Sequence, residues 1–397
     1  MPQTLITSQA EFNKLLRQLE KQSVICFDTE FISEGRFRPL LCLLQIAAGK
    51  TRALVDPLAL SLKPFWELVC SGKHEVVVHA CRCEMEFCLR DTGTFPPVFF
   101  DIQLAAGFAG LDYPTNLASI IKHYLHIDIP KAESRTVWNK RPLTQRQIDY
   151  AFDDVLYLEQ CAAVLKKTLT ETGRLNWYYE EVEERNKRLK EYLETPQWRG
   201  LPKSGQLNQR ELAIARELWF WRNTAAEKYN LPLNRVLRDD LIIELAHRKT
   251  CDPQRISAVR GLPRNDSAQT VKDIAEAIKR GLDLQDSELP PLNKTKSYPQ
   301  YHNLTHLLFS IAGSICRNSG ISMQLIGSPN DIREWLAGEL GTLPEGIIPR
   351  FQSGWRAELF ANQLRDLLYG KTAIRLDRKN TEDPLVILPL DGSQNRR

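Results

Sequence analysis

The run Val24-Ile25-Cys26-Phe27 is apolar and β-prone, and it leads directly into Asp28-Thr29-Glu30-Phe31. A strand of this kind ends on two carboxylates separated by one residue. Residues i and i+2 of a strand face the same side, so Asp28 and Glu30 point together. The spacing over 145–158 predicts a helix carrying Tyr150 and Asp154 at i,i+4, which sets a phenol and a carboxylate on one helical face. Between these segments, Val76-Val77-Val78-His79-Ala80-Cys81-Arg82-Cys83-Glu84-Met85-Glu86-Phe87 reads as a strand running into the start of a helix. Glu84 is the candidate acid of this segment. Glu86 lies about 200° around the helix from it, and Arg82 is placed to pair with Glu86 at i,i+4.

Carboxylates in this number suit metal-assisted attack on a phosphate. Hydrolysis of a phosphodiester needs charge stabilised on the attacking and leaving oxygens, and two divalent ions about 3.5–4 Å apart supply both. Hard cations such as magnesium or manganese prefer carboxylate oxygens. Asp28 and Glu30 could supply ligands from a strand and Glu84 and Asp154 from helices, with Tyr150 orienting the water. Other metal patterns are weaker. His302 and His306 have i,i+4 spacing, but Asn303 stands where a zincin carries its glutamate. His79, His123 and His126 read as hydrogen-bonding or packing residues.

At 397 residues the chain is too long for one ordinary core, so two or three domains are expected. A hydrophobic share of 43% and a charged share of 26% are those of a soluble globular protein. No apolar run approaches the ~20 residues needed to span a bilayer, and the N-terminus lacks the basic and apolar regions of a signal peptide. The expected compartment is the cytoplasm, with no membrane association. The nine cysteines match neither a zinc site nor a redox pair and are expected to be reduced and mostly buried.

From Val24 to about Ala163, short apolar strands (Leu40 to Ala47, Arg52 to Val55, Val76 to Val78) alternate with helical patterns, which favours an α/β layer fold. Residues 155–193 look helical, and the mixed charges Glu180, Glu181, Glu183, Glu184, Arg185, Lys187, Arg188 and Lys190 read as a solvated face. Pro196 through Gly205 punctuates the chain and ends a first domain at about residue 200. Four helices are expected over 206–285: Asn208 to Tyr229, Val236 to Lys249, Pro253 to Gly261 and Ser267 to Leu282. A proline-bearing linker, Gln285 to Gln300, precedes a further helical region over 300–375 and a tail over 376–397, extended from Pro384 onward.

With these motifs in order, the first 195 residues or so resemble the ribonuclease D family and, more broadly, the tyrosine-containing branch of the DEDD exonuclease superfamily. Asp28-Thr29-Glu30-Phe31 matches the first motif, His79-Ala80 followed by Glu84 the second, and Tyr150 with Asp154 the third. The flanking Lys131, Glu133-Ser134-Arg135-Thr136, Trp138 and Arg141-Pro142-Leu143-Thr144 are also similar to that family. The resemblance implies a ribonuclease H-like α/β exonuclease domain over 1–200. In such a domain Asp28, Glu30, Glu84 and Asp154 would hold two divalent metal ions, Mg²⁺ or Mn²⁺, beside Tyr150. It further implies 3′→5′ hydrolysis of RNA to 5′-mononucleotides, with transfer-RNA precursors as substrates. One position departs from the pattern: Glu84 stands where the family carries aspartate, a side chain one methylene shorter.

Residues 206–285 resemble an HRDC domain in Arg216-Glu217-Leu218, Trp221-Arg222 and Ala258-Val259-Arg260-Gly261-Leu262, and 300–375 resemble a second, divergent copy. The all-α part of the fold is thus a pair of HRDC helical domains. Between Lys228 and Arg264 eight basic residues face four acidic ones, a net of +4 that equals the formal charge of the whole chain. Such a surface can track phosphates, with Arg235, Arg238 and Arg260 as its candidates and Lys131 and Phe31 as further RNA contacts, Phe31 by stacking. Two other readings remain: an RNA-binding protein whose nuclease site has decayed at Glu84, and an exonuclease that acts on DNA. No protein partner is indicated.

Overall fold

The computed structural model describes residues 5–129, 136–262, 268–292, 298–381 and 383–390. Strands β1 (Leu5–Ile6), β2 (Val24–Ile32), β3 (Leu40–Ala48), β4 (Thr51–Val55), β5 (Glu75–Val78) and β6 (Phe99–Asp101) form one sheet in the order β1-β4-β3-β2-β5-β6. The pairs β1/β4, β2/β5 and β5/β6 are parallel, and β3/β4 is antiparallel. Helices α1 (Gln9–Leu19), α2 (Lys63–Val69), α3 (Arg82–Thr92), α4 (Ile102–Phe108), α5 (Leu117–Leu125), α6 (Gln145–Leu156), α7 (Leu158–Glu171) and α8 (Leu175–Glu194) accompany it. The expected α/β layer is therefore present. The helix expected to run unbroken from residue 145 to 158 stops at Leu156, and Tyr157 separates it from α7. The helical stretch over 155–193 is likewise interrupted where Gly173 takes φ +70° after α7.

The described residues divide into two compact units. One comprises Met1–Glu30, Leu43–Lys187 and Tyr298–Arg397, the other Phe31–Cys42 and Arg188–Ser297. The second unit is all-α over most of its length: α9 (Gln209–Tyr229), α10 (Leu233–Val236), α11 (Asp239–Arg248), α12 (Pro253–Ser257) and α13 (Ala268–Asp283). A capping box starts α9, with Asn208 and Glu211 each accepting the other's backbone N–H at 3.0 Å. The helix expected from Val236 begins only at Asp239, because Leu237 is extended at φ −159° and ends α10. Gly281 lets α13 approach α9 closely: a Cβ there would stand 2.6 Å from the Ile214 Cα. The segment 31–42 is tied to the end of α9, since the Phe37 and Arg38 N–H groups donate to Asn230 Oδ1 and Arg38 pairs with Glu227.

In the first unit, α14 (His302–Ser319), α15 (Pro329–Glu339), the turn α16 (Gly354–Arg356) and α17 (Asn362–Leu368) share one apolar core with α4, α5, α7 and α8. Phe108 meets Trp355 edge-on at 5.1 Å, and the Ser322 N–H donates to the Gly107 carbonyl at 2.9 Å. The segment read as an extended tail doubles back: β7 (Thr372–Leu376) and β8 (Leu385–Pro389) form an antiparallel pair.

The solvated face expected for α8 is corrected at Glu181, which is fully buried. Arg356 Nη1 donates to it at 2.7 Å, Arg185 Nε at 2.9 Å and Arg350 Nη2 at 3.0 Å. Arg356 is itself buried and also donates to the Leu325 and Ile326 carbonyls. Two of the three arginines come from about 170 residues downstream, beyond the reach of a local charge pattern. Burial opposes ionisation of Glu181, but Arg356, Arg185 and Arg350 outweigh it and hold the carboxyl down at about 2. A depressed pKa stabilises the fold above the ordinary 4.5 of a free glutamate, and that stability is lost as pH falls toward 2. Glu181→Gln should therefore cost roughly 3 kcal/mol at neutral pH, and the gap to the parent should close as both proteins are taken to pH 2. Urea unfolding across that range checks it. A gap independent of pH would contradict the ionised cluster.

Candidate active site

Asp28 and Glu30 owe their position to sheet register. The parallel pairing of β2 with β5 runs Val24 to Glu75, Ile25 to Val76 and Cys26 to Val77, and β5 stops at Val78. Strand β2 continues to Ile32, so both acids lie past the carboxyl end of β5, the edge at which parallel sheets bind ligands. Ile25, Cys26 and Phe27 are buried below them. The Thr29 N–H donates to Asp28 Oδ1 at 2.8 Å.

Glu84 reaches the same place from the first turn of α3. The turn between β5 and α3 needs Ala80 at φ +59°, a conformation that costs a side-chain-bearing residue about 1 kcal/mol or more. Asp101 holds that turn: its carboxylate accepts from the Ala80 N–H at 3.1 Å and from the Cys81 N–H at 3.5 Å. The same carboxylate caps α4 by accepting from Gln103 N–H at 2.9 Å. Glu84 is only 4% exposed and accepts a 2.5 Å hydrogen bond from Thr29 Oγ1. Glu86 points away and pairs with Arg82 at 3.3 Å. His79 bonds the Thr115 carbonyl at 3.0 Å, a local contact.

Helix α6 delivers the remaining two groups. Thr144 and Gln147 form its capping box. Upstream, Arg141 is clamped to Asp56 by bonds of 2.6 and 2.7 Å, and the Trp138 ring lies 5.9 Å from that of Tyr150. Asp154 is buried, and its Oδ2 has no hydrogen-bond partner among the described residues. Tyr150 interacts with both Glu30 and Asp154.

Electrostatics tie the four acids together. Burial, then Glu84 and Asp154, drive the Asp28 pKa well above the usual carboxylate range. Burial, then Asp154 and Glu84, push Glu30 up to about 8. Glu84 and Asp154 are each raised to about 7, chiefly by burial, with Thr29 and Tyr150 respectively working the other way. Tyr150 is raised by burial and by Asp154 and Glu30, so it stays a neutral hydrogen-bond donor. Among the described residues, no group of three or more His, Cys, Asp or Glu side chains stands close enough together to hold a metal ion. The donor set still fits hard divalent cations: all its ligand atoms are carboxylate oxygens, they repel one another, and the buried Asp154 Oδ2 lacks any partner.

The RNA-contact candidates lie apart from one another in sequence and in setting. Phe31 is half-buried on β2. Lys131 lies outside the described residues. Arg235 and Arg260 are exposed, and Arg238 is engaged by both Asp240 oxygens at 2.9 and 2.5 Å. Other cations of the basic run are also neutralised: Arg248 by Glu244, Lys249 by Glu211 and Arg255 by Asp252. Asp101 is the residue that sequence reasoning missed. Its signal was an aspartate at the junction of the apolar Phe99-Phe100 with the helical Ile102-Gln103-Leu104, an N-cap pattern.

A family model for 3′-5′ exonucleases matches residues 3–170, and one for the HRDC domain matches residues 211–278. Fold and site together define an exonuclease with an HRDC module. Ribonuclease D of a Shewanella species is 31% identical over 371 residues, covering 91% of this chain and 93% of the relative. That of Bartonella henselae is 29% identical over 383 residues, covering 94% and 91%. The crystal structure of Escherichia coli RNase D, described as an exoribonuclease involved in structured RNA processing, matches with a TM-score of 0.82 at 27% identity, covering 93% of this chain and 99% of that one. The chain belongs to the ribonuclease D family and is a 3′→5′ exoribonuclease.

Because the acids are raised, the folded state holds protons that the unfolded chain has released, so the metal-free protein loses stability as pH rises from about 5 to 8. A divalent cation bound to the folded state should restore it, and more at pH 8 than at pH 5. Melting temperatures of chelator-treated protein, with and without Mg²⁺ or Mn²⁺, check this. An equal metal effect in Asp154→Asn would place the binding elsewhere.

Proposed function

We propose that this exoribonuclease is metal-dependent, that Asp28, Glu30, Glu84 and Asp154 hold two divalent ions, and that transfer-RNA precursors are among its substrates. The observation that carries the reading is the convergence of four mutually repelling, largely buried carboxyl groups on one sheet edge beside a neutral tyrosine. Two ions, when bound, supply an activated water and charge stabilisation on the departing 3′ oxygen. Tyr150 donates a hydrogen bond to that water and so orients it along the line of attack. Thr29 steadies the Glu84 carboxyl, and Asp101 acts through the α3 turn as a positioning residue. The products are 5′-mononucleotides.

Support for Glu84 in place of aspartate is its setting. The N-terminus of α3 favours its negative charge, and Thr29 restrains the longer side chain. Structured RNA is named for the Escherichia coli relative, and extending this to transfer-RNA precursors is our reading. Arg235, Arg238 and Arg260 would track phosphates, Phe31 and Lys131 would contact the strand, and residues 300–375 would serve as a second HRDC-like domain. A cytoplasmic location accompanies this substrate; among the described residues no helix is long and apolar enough to cross a membrane.

On a 5′-labelled RNA with a single-stranded 3′ end, the protein should produce a ladder shrinking from that end. Asp28→Asn should slow it by about 100-fold or more, since loss of even a supporting metal contact costs up to ~100-fold. Glu84→Asp should keep turnover and Glu84→Gln should lose it. Turnover undiminished in Asp28→Asn would refute the site. A matched DNA oligomer should be cut more slowly, because 2′-hydroxyl contacts separate the two sugars.

A further inference from the structure

We infer that the HRDC module contains a pocket for an unstacked RNA base, separate from the phosphate-tracking role of its exposed arginines. The pocket is a cavity of about 300 Å³ whose walls include Leu201, Leu233 and Trp219, with Gln197, Asn234, Arg222, Arg238 and Asp239 as its polar groups. That volume lies at the lower end of the range for small-ligand sites, about 300–1,000 Å³. Arg222 is the telling residue. It is 3% exposed, Nη1 donates to the Leu237 carbonyl at 2.9 Å and to Asp239 at 2.6 Å, yet its Nε–H is buried with no partner. A buried donor left unmade costs about 1–3 kcal/mol, a cost that a small shift of this cavity-lining side chain toward a ligand's acceptor would lower.

The charge balance selects the ligand. Asp239 already neutralises Arg222, and Asp240 engages Arg238 at the rim, so the pocket offers no surplus positive charge for a phosphate. An indole wall and aliphatic side chains suit a flat neutral ring. Gln197 donates to the Tyr192 and Thr195 carbonyls at 2.9 and 2.7 Å and so offers its amide oxygen, while the Asn234 amide and the Arg222 guanidinium suit the carbonyl and amino groups on the ring's edge. A nucleobase has both features, and a family member that processes RNA meets such bases in single-stranded segments. The identity of the ligand thus rests on the exoribonuclease assignment, whereas the pocket rests on the structure alone.

Gly200 provides a clean plug. It lines the cavity, its φ is ordinary, and no heavy atom of the described residues lies within 4 Å of a Cβ built on it. The test uses the full chain carrying Asp28→Asn to prevent cleavage. Fluorescence anisotropy would compare an oligouridylate with an abasic ribose-phosphate strand of the same length. Adding Gly200→Trp should weaken binding of the oligouridylate about tenfold while leaving the abasic strand and the melting temperature unchanged. Asn234→Ala, at an exposed position, should weaken it several-fold. Parent-like binding of the oligouridylate by both variants overturns the pocket, and so does an equal loss for both strands, which would indicate a backbone contact. Failure of the Asp28→Asn parent to bind either strand would instead count against the RNA reading itself.

Discussion

Four carboxyl groups packed at the carboxyl end of one sheet cannot all ionise without help. Burial raises each of them, and Asp28 and Glu30 are raised further by Glu84 and Asp154. Proteins tolerate such crowding only where a cation, a shared proton or a charged partner relieves it. At Glu181 relief comes from three arginines, and the carboxyl sits at about 2. No arginine approaches the four acids in the same way among their described partners, so they remain raised. The two buried clusters thus differ: arginines lower Glu181, whereas burial and mutual repulsion raise the four acids.

Much of the first unit exists to hold that unfavourable arrangement. Strand β2 outruns β5, which sets Asp28 and Glu30 on the edge. Asp101 accepts from the Ala80 and Gln103 N–H groups at Oδ1 and from the Cys81 N–H at Oδ2, fixing the left-handed Ala80 and with it the direction of α3. The Asp101 N–H in turn donates to the phenol oxygen of the buried Tyr178 on α8. Helix α8 carries Glu181, which binds the C-terminal helices. Helix α8 therefore links the arginine cluster at Glu181, through Tyr178 and Asp101, to the turn that aims Glu84.

Local pattern carried part of this a long way. The period-two spacing of Asp28 and Glu30, the i,i+4 spacing of Tyr150 and Asp154, and the helical angle that separates Glu84 from Glu86 all needed only a strand and two helix starts. These are the places where sequence and structure agree in geometry. What escaped was non-local. Asp56 and Arg141 are 85 positions apart, and Glu181 meets Arg356 across 175. Glu181 looked like one charge among many on α8 because the residues that bury it lie in a different part of the sequence. In the basic run, net charge concealed pairing: Arg238, Arg248 and Arg255 each lie beside an acid on the same or an adjacent turn.

In the proposed site the four acids hold protons that metal ions would replace. Calorimetric titration of the metal-free protein with Mg²⁺ or Mn²⁺ near pH 7, repeated in two buffers of different ionisation enthalpy, measures the protons released. With Glu84 and Asp154 at about 7 and Glu30 at about 8, binding should release about one proton or more. The release should shrink as pH rises above 8 and should fall in Asp154→Asn. Heats of binding that are identical in the two buffers would mean that the carboxyl groups are already ionised, which contradicts the proposed proton–metal exchange.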